Sequence, residues 1–406
     1  MFSAKAISPV SAWPSARRLA ASQARRPRAV PPSAIPAALV EEGQRMASIC
    51  NACRYCEGFC AVFPALERRL SFAEGDLTYL ANLCHNCGSC YYACQYAPPH
   101  EFQLNFPKML AEVRGESYKK YAWPATLSGL FQRNGRVVSL ITAASLVAFV
   151  LAMLFFSDPS ALFSAHSDSQ GSFYAVFPHR AMAWIFGVIF LMVTAALIMG
   201  SVRFWRDIGE EPATFLSPGP FAKSVDDAAR LIYLGGGGDG CTYPDDKPSY
   251  ARRRFHHLTF YGFMSCFAAT GVAPVYHYVL GWSAPYPFWS LPVMLGTLGS
   301  IGLLIGPAGL LWLKERRDSA LTADSQTGMD VAFLVLLFIV SLTGLLLLVL
   351  RETAAMGTLL AIHLGVVMGL FITMPYGKFV HAVYRFAALV RFHVERRRPS
   401  PGLSAE

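Results

Sequence analysis

Six stretches of about twenty residues contain no Asp, Glu, Lys or Arg. They are Val137–Phe156, Ala181–Val202, Leu258–Leu280, Trp289–Leu313, Val331–Leu350 and Ala354–Pro375. About twenty apolar residues in a helix cross the roughly 30 Å hydrocarbon core of a bilayer. One such run could be a buried helix of a soluble domain, but six in one chain predict a six-helix transmembrane bundle. The third and fourth are the least uniform, interrupted by Pro274, Pro292 and Pro307. Composition agrees: only 15% of residues are charged, against about a quarter in soluble domains.

The formal charge of +9 sits at the two ends. Residues 1–45 hold seven Arg/Lys against two acids, and residues 376–406 hold six against two, which accounts for the whole excess. No basic face remains for a duplex, so a nucleic-acid partner is excluded. Loop charge then orients the spans. Residues 203–254 carry Arg203, Arg206, Lys223, Arg230 and Arg252–Arg254, and Lys314, Arg316 and Arg317 follow the fourth span. The alternate loops, 157–180, 281–288 and 351–353, hold only Arg180 and Arg351. This places both termini on the cytoplasmic side of an inner membrane, with the lipid bilayer as solvent for the spans. Residues 1–45 lack an apolar stretch long enough for a signal peptide and read as an unstructured basic arm.

Eight of the ten cysteines repeat one spacing. Cys50, Cys53, Cys56 and Cys60 form C-x2-C-x2-C-x3-C, and Cys84, Cys87, Cys90 and Cys94 form it again. A cubane iron–sulfur cluster needs four converging thiolates. A tight loop supplies three, and in the bacterial ferredoxin arrangement the fourth cysteine of each run serves the other cluster. Cys50, Cys53, Cys56 and Cys94 are therefore assigned to one [4Fe–4S] cluster, and Cys84, Cys87, Cys90 and Cys60 to a second. Neither fourth cysteine is followed by the usual proline; Ala61 and Gln95 stand there. Zinc sites space their C-x2-C pairs by a dozen or more residues, and disulfides are rare in a reducing cytoplasm. Cys241 and Cys266 stand alone and read as a loop thiol and a small apolar filler.

Histidines at the ends of spans three and six are the candidate haem ligands: His256, His257, His277, His363 and His381. His363 and His381 lie 18 residues apart, five turns of one helix and about 27 Å of depth. His277 lies about 30 Å beyond the His256/His257 pair. The levels match, so His257 or His256 can meet His381 at the inner surface, and His277 can meet His363 at the outer one. Facing imidazoles are an ordinary way to hold a b-type haem, giving one haem b or two. At 100° per residue His257 and His277 point about 160° apart, and His256 and His277 about 60°. His179 reads as an interface residue. His85 and His100 flank the second cysteine run and tune or pack around a cluster, while His166 and His393 read as loop and tail residues.

Leu234–Gly240, LGGGGDG, lacks the spacing of a dinucleotide loop. It reads as a flexible turn, with close backbone approach to a cofactor or partner as the alternative. Arg252–Arg254 read as a positive-inside anchor or as partners for haem propionates. No catalytic constellation for oxidising a substrate is apparent.

The expected fold is mainly α. After the arm (1–45) comes a ferredoxin-like two-cluster helical domain (46–125). A six-span cytochrome b-like haem domain (126–394) with a cytoplasmic loop (203–254) follows, and then a basic tail (395–406).

The combination NACRYC…CHNC…YYACQYAPPHEF within Ile49–Phe102 resembles the tricarballylate or citrate utilisation protein B family. Further matching runs are YLGGGG at Tyr233–Gly238, HHLTFYG at His256–Gly262 and PYGKFVHAVYRFAAL at Pro375–Leu389. The resemblance extends from Met46 to about Val394. The membrane part is also similar to nitrate reductase gamma-type cytochrome b subunits, which supply two histidines from each of two helices. The resemblance implies a redox shuttle without its own dehydrogenation site. It would reoxidise the FAD of a partner flavoprotein, a tricarballylate dehydrogenase, and pass electrons through clusters and haem b to membrane quinone. Related modules serve a flavoprotein of cobalamin synthesis, so that partner stays open. A tricarboxylate transporter or a redox sensor are rival classes, but no span offers a charge to bind a trianion.

Overall fold

A computed structural model describes residues 35–156, 158–165 and 172–399. The N-terminal part is built on α1 (Ala37–Cys53), α2 (Glu74–Leu83) and α3 (Phe106–Tyr121). Local chemistry sets their ends. Asp76 accepts a hydrogen bond from the Ala73 amide at 3.2 Å at the start of α2. The Asn105 side chain accepts from the Lys108 amide at 3.2 Å, and Pro107 occupies the first turn of α3, where its missing N–H costs nothing. The remainder comprises α4 (Asn134–Phe156), α5 (His179–Asp207), α6 (Pro218–Arg230), α7 (Ala251–Tyr278), α8 (Leu291–Glu315), α9 (Asp324–Leu350), α10 (Met356–Thr373) and α11 (Val380–Glu395).

All six uncharged runs are helices, and α4, α5, α7, α8, α9 and α10 are long and apolar enough to cross a membrane. Several extend beyond the runs, because a helix need not stop where the hydrocarbon does. α7 thus takes Arg252–Arg254 into its first turn, and α9 takes in Asp330. Small residues let the spans approach closely. A Cβ on Gly299 of α8 would lie 2.7 Å from the Gly262 carbonyl of α7, and one on Gly365 of α10 would lie 2.7 Å from Leu146 Cα of α4. Cys266 fills part of the α7–α8 seam, its sulfur 3.7 Å from Ser300 Oγ.

Five sequence expectations need correction. The arm does not extend to residue 45, since α1 begins at Ala37 and buries Gly43, Met46 and Ala47. Residues 203–254 are not a loop. They hold the end of α5, the helix α6, and a two-residue hairpin of β1 (Cys241–Thr242) and β2 (Pro248–Ser249), pairing antiparallel with Cys241 opposite Ser249. The sixth span ends near Pro375, as its uncharged run does, but the helix does not continue to His381 as the turn count assumed. A short turn at Met374–Tyr376 and an extended Gly377 end it, because Pro375 has no N–H to continue the ladder.

Finally, α11 belongs to the cluster domain and not to the membrane bundle. Its Tyr384, Ala388 and Val390 share one core with Tyr79 and Leu80 of α2 and Tyr118 of α3. Buried ion pairs fasten it there: Arg69 to Glu395 at 2.6 Å and to Asp76 at 2.7 Å, and Arg391 to Glu395 at 2.9 Å. The chain after it is not a free tail as far as residue 399, since Arg398 pairs with Glu210 at 2.7 Å.

Candidate functional site

The two cysteine runs fold into adjoining cradles. α1 ends on Cys53, and Arg54 takes the left-handed conformation (φ 56°) that turns the chain back on itself. Cys50, Cys53, Cys56 and Cys94 come together around one cavity. Cys60, Cys84, Cys87 and Cys90 line a second. Cys90 also touches the wall of the first, so the cradles share a side. Burial, then the charges of Cys56, Cys94 and Cys53, pushes the Cys50 thiol up. Burial, then Cys87 and Cys84, does the same to Cys60. Burial pushes Cys56 up to about 12. Such thiols ionise only beside strong positive charge, which iron supplies. Among the described residues no three His, Cys, Asp or Glu side chains close around a single metal ion. The donor set fits a larger polynuclear cluster in each cradle.

Leu234–Gly240 is no loose turn. A Cβ on Gly237 would lie 3.4 Å from the Gly58 carbonyl, and one on Gly236 would lie 2.8 Å from Ser89 Oγ. The segment therefore covers both cysteine loops of its own chain. It also delivers Cys241, which is buried and not the loop thiol expected from its isolation in sequence. Cys241 Sγ donates to the Leu234 carbonyl at 3.0 Å. Its hydrogen bond to Cys87 pulls that thiol down and pushes Cys241 up.

Toward the spans, the loop after α2 is clamped by arginines. Arg114 donates to the carbonyls of Cys84 (2.8 Å) and Ala81 (3.1 Å), and Arg385 to that of Cys84 (2.9 Å). Arg252 donates to the carbonyls of His85 (2.9 Å) and Asn86 (2.8 Å). Beyond them opens a cavity into which His256 of α7 and His381 of α11 project. Their ring centres are 6.3 Å apart. Two metal–nitrogen bonds of about 2 Å, with the half-width of each ring, span roughly that distance. His381 Nδ1 lies 2.5 Å from the Lys378 carbonyl; it must donate there, so Nε2 is left as the free lone pair. Burial, with Lys378 and Arg385 alongside, holds His381 well below its ordinary value and therefore neutral. His256 Nδ1 is buried with no partner. The pair fits a metal held between two imidazoles.

The other histidines do not join them. His257 turns away toward Tyr261, 5.9 Å between ring centres, because successive helical residues point 100° apart. Of the two alternatives the sequence left open, His256 and not His257 faces His381. The outer pairing of His277 with His363 also fails. His277 stacks on His179 at 3.7 Å, while His363 Nδ1 meets Thr343 Oγ1 at 3.0 Å. Their spacing argument assumed one helix through residues 363–381, and the break at Pro375 removes it. His393 is buried against Asp227 (2.8 Å), contrary to a tail residue. His100 packs on Tyr96 and Phe102 near the first cradle. His166 lies outside the described residues.

His85 lines both the second cysteine cradle and the His256–His381 cavity, as does Asn86. Burial, then Arg385 and Arg252, drives the His85 imidazole well below its ordinary value. Sequence reasoning missed the basic lining: Arg114, Arg317, Lys378 and Arg385 come from four separate places in the chain. The one available signal was Arg114 itself, a charge on the stripe Met109, Leu110, Val113, Arg114, Ser117 and Tyr118 that α3 buries.

The family model described as "Citrate utilization protein B" matches residues 131–402, and that of its Fer4-like domain matches residues 43–120. The Escherichia coli protein called "Citrate utilization protein B" is 53% identical over 361 residues, covering 88% of this chain and 93% of that one. No solved structure matches the chain.

Proposed function

Because the chain belongs to the citrate utilization protein B family, with a Fer4-like iron–sulfur domain, we propose that it is a membrane electron carrier for tricarboxylate utilisation. It would accept electrons from the reduced FAD of a partner tricarballylate dehydrogenase-like flavoprotein and deliver them to the quinone pool. Two [4Fe–4S] clusters and one haem b would supply the one-electron chemistry when bound. Cys50, Cys53, Cys56 and Cys94 would hold one cluster, Cys60, Cys84, Cys87 and Cys90 the other, and His256 with His381 the haem. The cluster domain would face the cytoplasm, following the basic loops.

One observation carries this reading: His85 and Asn86 form a common wall between the second cysteine cradle and the imidazole pair. The rest of the chain's work is positional. Arg114, Arg252 and Arg385 fix the backbone on either side of Cys84. The Lys378 carbonyl fixes the tautomer of His381, and the glycine segment covers both cysteine loops.

The test is a set of single substitutions in the purified full chain. His256→Ala and His381→Ala should remove the Soret band while the reduced-cluster EPR signals persist, and His257→Ala should leave both. A Soret band surviving in His381→Ala, or two cradles without cluster signals in the parent protein, would overturn the proposal.

A further inference from the structure

The imidazole cavity holds more positive charge than its neighbours neutralise. Asp330 is the carboxylate on its wall, and it is occupied by Lys314 at 2.9 Å and Lys378 at 2.7 Å. Arg114, Arg252, Arg317 and Arg385 also line the cavity, and among the described residues none of the four forms an ion pair. Arg252 and Arg385 direct their donors to carbonyls of residues 82–86. Three donors remain: Arg114 Nε, Arg317 Nε and Arg317 Nη2, all buried and without an acceptor. Arg114 itself is 5% exposed.

Buried guanidinium N–H groups with nothing to donate to are costly, and native interiors seldom keep them. Burial also presses Arg317 below the ordinary arginine value, and Arg385 down to about 10. Their planar forks match carboxylate oxygens, which accept two parallel bonds. Arg317 is held in place by the Tyr243 ring, 5.2 Å from its guanidinium carbon, and Arg252 lies 4.5 Å from the same ring. The cavity is thus preorganised for carboxylate groups on a ligand that also meets two imidazoles.

We infer that Arg114 and Arg317 bind the two propionate carboxylates of the haem whose iron His256 and His381 hold. The inference rests on the haem reading of the proposed function. A free di- or tricarboxylate would satisfy the same donors. The propionates are favoured because the orphaned donors and the imidazole pair lie in one cavity.

Full-length Arg114→Gln, Arg317→Gln and the double variant are purified, and haem per chain, haem midpoint potential and cluster EPR are measured. Positive charge near the macrocycle favours its reduced form. Losing both arginines should lower haem content at least fivefold, and should shift the redox equilibrium of retained haem about tenfold toward oxidised, a drop of about 59 mV. Cluster signals should be unchanged in Arg317→Gln; Arg114 also holds the Cys84 carbonyl, so its variants are not judged on them. Should the glutamine variants fail to accumulate, Arg317→Lys keeps the charge but loses the fork. Haem content reduced threefold or more then supports the assignment. Full haem content at the parental potential, in any of these variants, overturns the inference and leaves the haem reading standing. A parent protein without haem overturns both. Added citrate that shifts the parental potential, with no shift in Arg317→Gln, shows that the donors face a free acid and overturns the propionate assignment.

Discussion

Cys241 offers the sharpest perturbation of the cluster domain. Its sulfur is fully buried, and its single S–H has two acceptors in reach, the Leu234 carbonyl at 3.0 Å and the sulfur of Cys87. A cluster gains negative charge on reduction, so a donor at a ligand sulfur stabilises the reduced form and raises the potential. A hydrogen bond to a charged acceptor contributes about 1.5–3 kcal/mol. A thiol is a weak donor, and this one divides its proton between two acceptors, which leaves a difference between oxidation states on the order of 1 kcal/mol. For one electron that is about 40 mV. Cys241→Ala should therefore lower the potential of one of the two proposed clusters by about 40 mV in an EPR-monitored redox titration, leaving the other where it was. Cys241→Ser keeps a donor at the same place and should recover most of the shift. Equal potentials in the parent and Cys241→Ala proteins, or equal shifts in both clusters, would refute this reasoning.

Gly240 has φ +105°, and a Cβ there would lie 2.8 Å from the Ser249 carbonyl carbon. Gly240→Ala should cost about 1–3 kcal/mol of local strain, prise β1 from β2, and shift the EPR signal of the cluster beside Cys241. Arg69, buried between Glu395 and Asp76, ties α11 to α2. Arg69→Met leaves Glu395 and Asp76 with Arg391 alone and should destabilise the cluster domain by about 1–3 kcal/mol, read as a lowered thermal midpoint in detergent. His393 is held below its ordinary value by burial, against an opposing pull from Asp227. The folded ring is therefore neutral, and the unfolded chain takes up a proton more readily. Stability from this site is complete above the unfolded value of about 6.5 and is lost as pH falls through it. Thermal midpoints between pH 7.5 and 5.5 should fall more steeply in the parent than in His393→Gln, and parallel slopes would exclude the site.

Much of the architecture could be read directly. Uncharged runs of membrane length announce helices whatever surrounds them, because hydrocarbon leaves the backbone no other partner for its polar groups. The repeated cysteine spacing likewise announces two tight loops, since three thiols at intervals of three can converge without help from the rest of the chain. Those are local properties, carried by composition and spacing.

What failed was every inference that assumed a helix to continue or a segment to be idle. Counting turns from His363 to His381 treated Pro375 and Gly377 as passive, and the break there moves His381 onto α11 and into the cluster domain. The choice of His256 over His257 depended on the roll of α7, which close packing of Gly262 against Gly299 decides. The basic wall around the imidazoles draws Arg114, Arg252, Arg317, Lys378 and Arg385 from points up to 271 positions apart. Cys241 reaches Cys87 only because the glycine segment folds over both cysteine loops. Spacing along the chain can specify neighbours within a turn or two, but convergence of distant side chains exists only once the helices have packed.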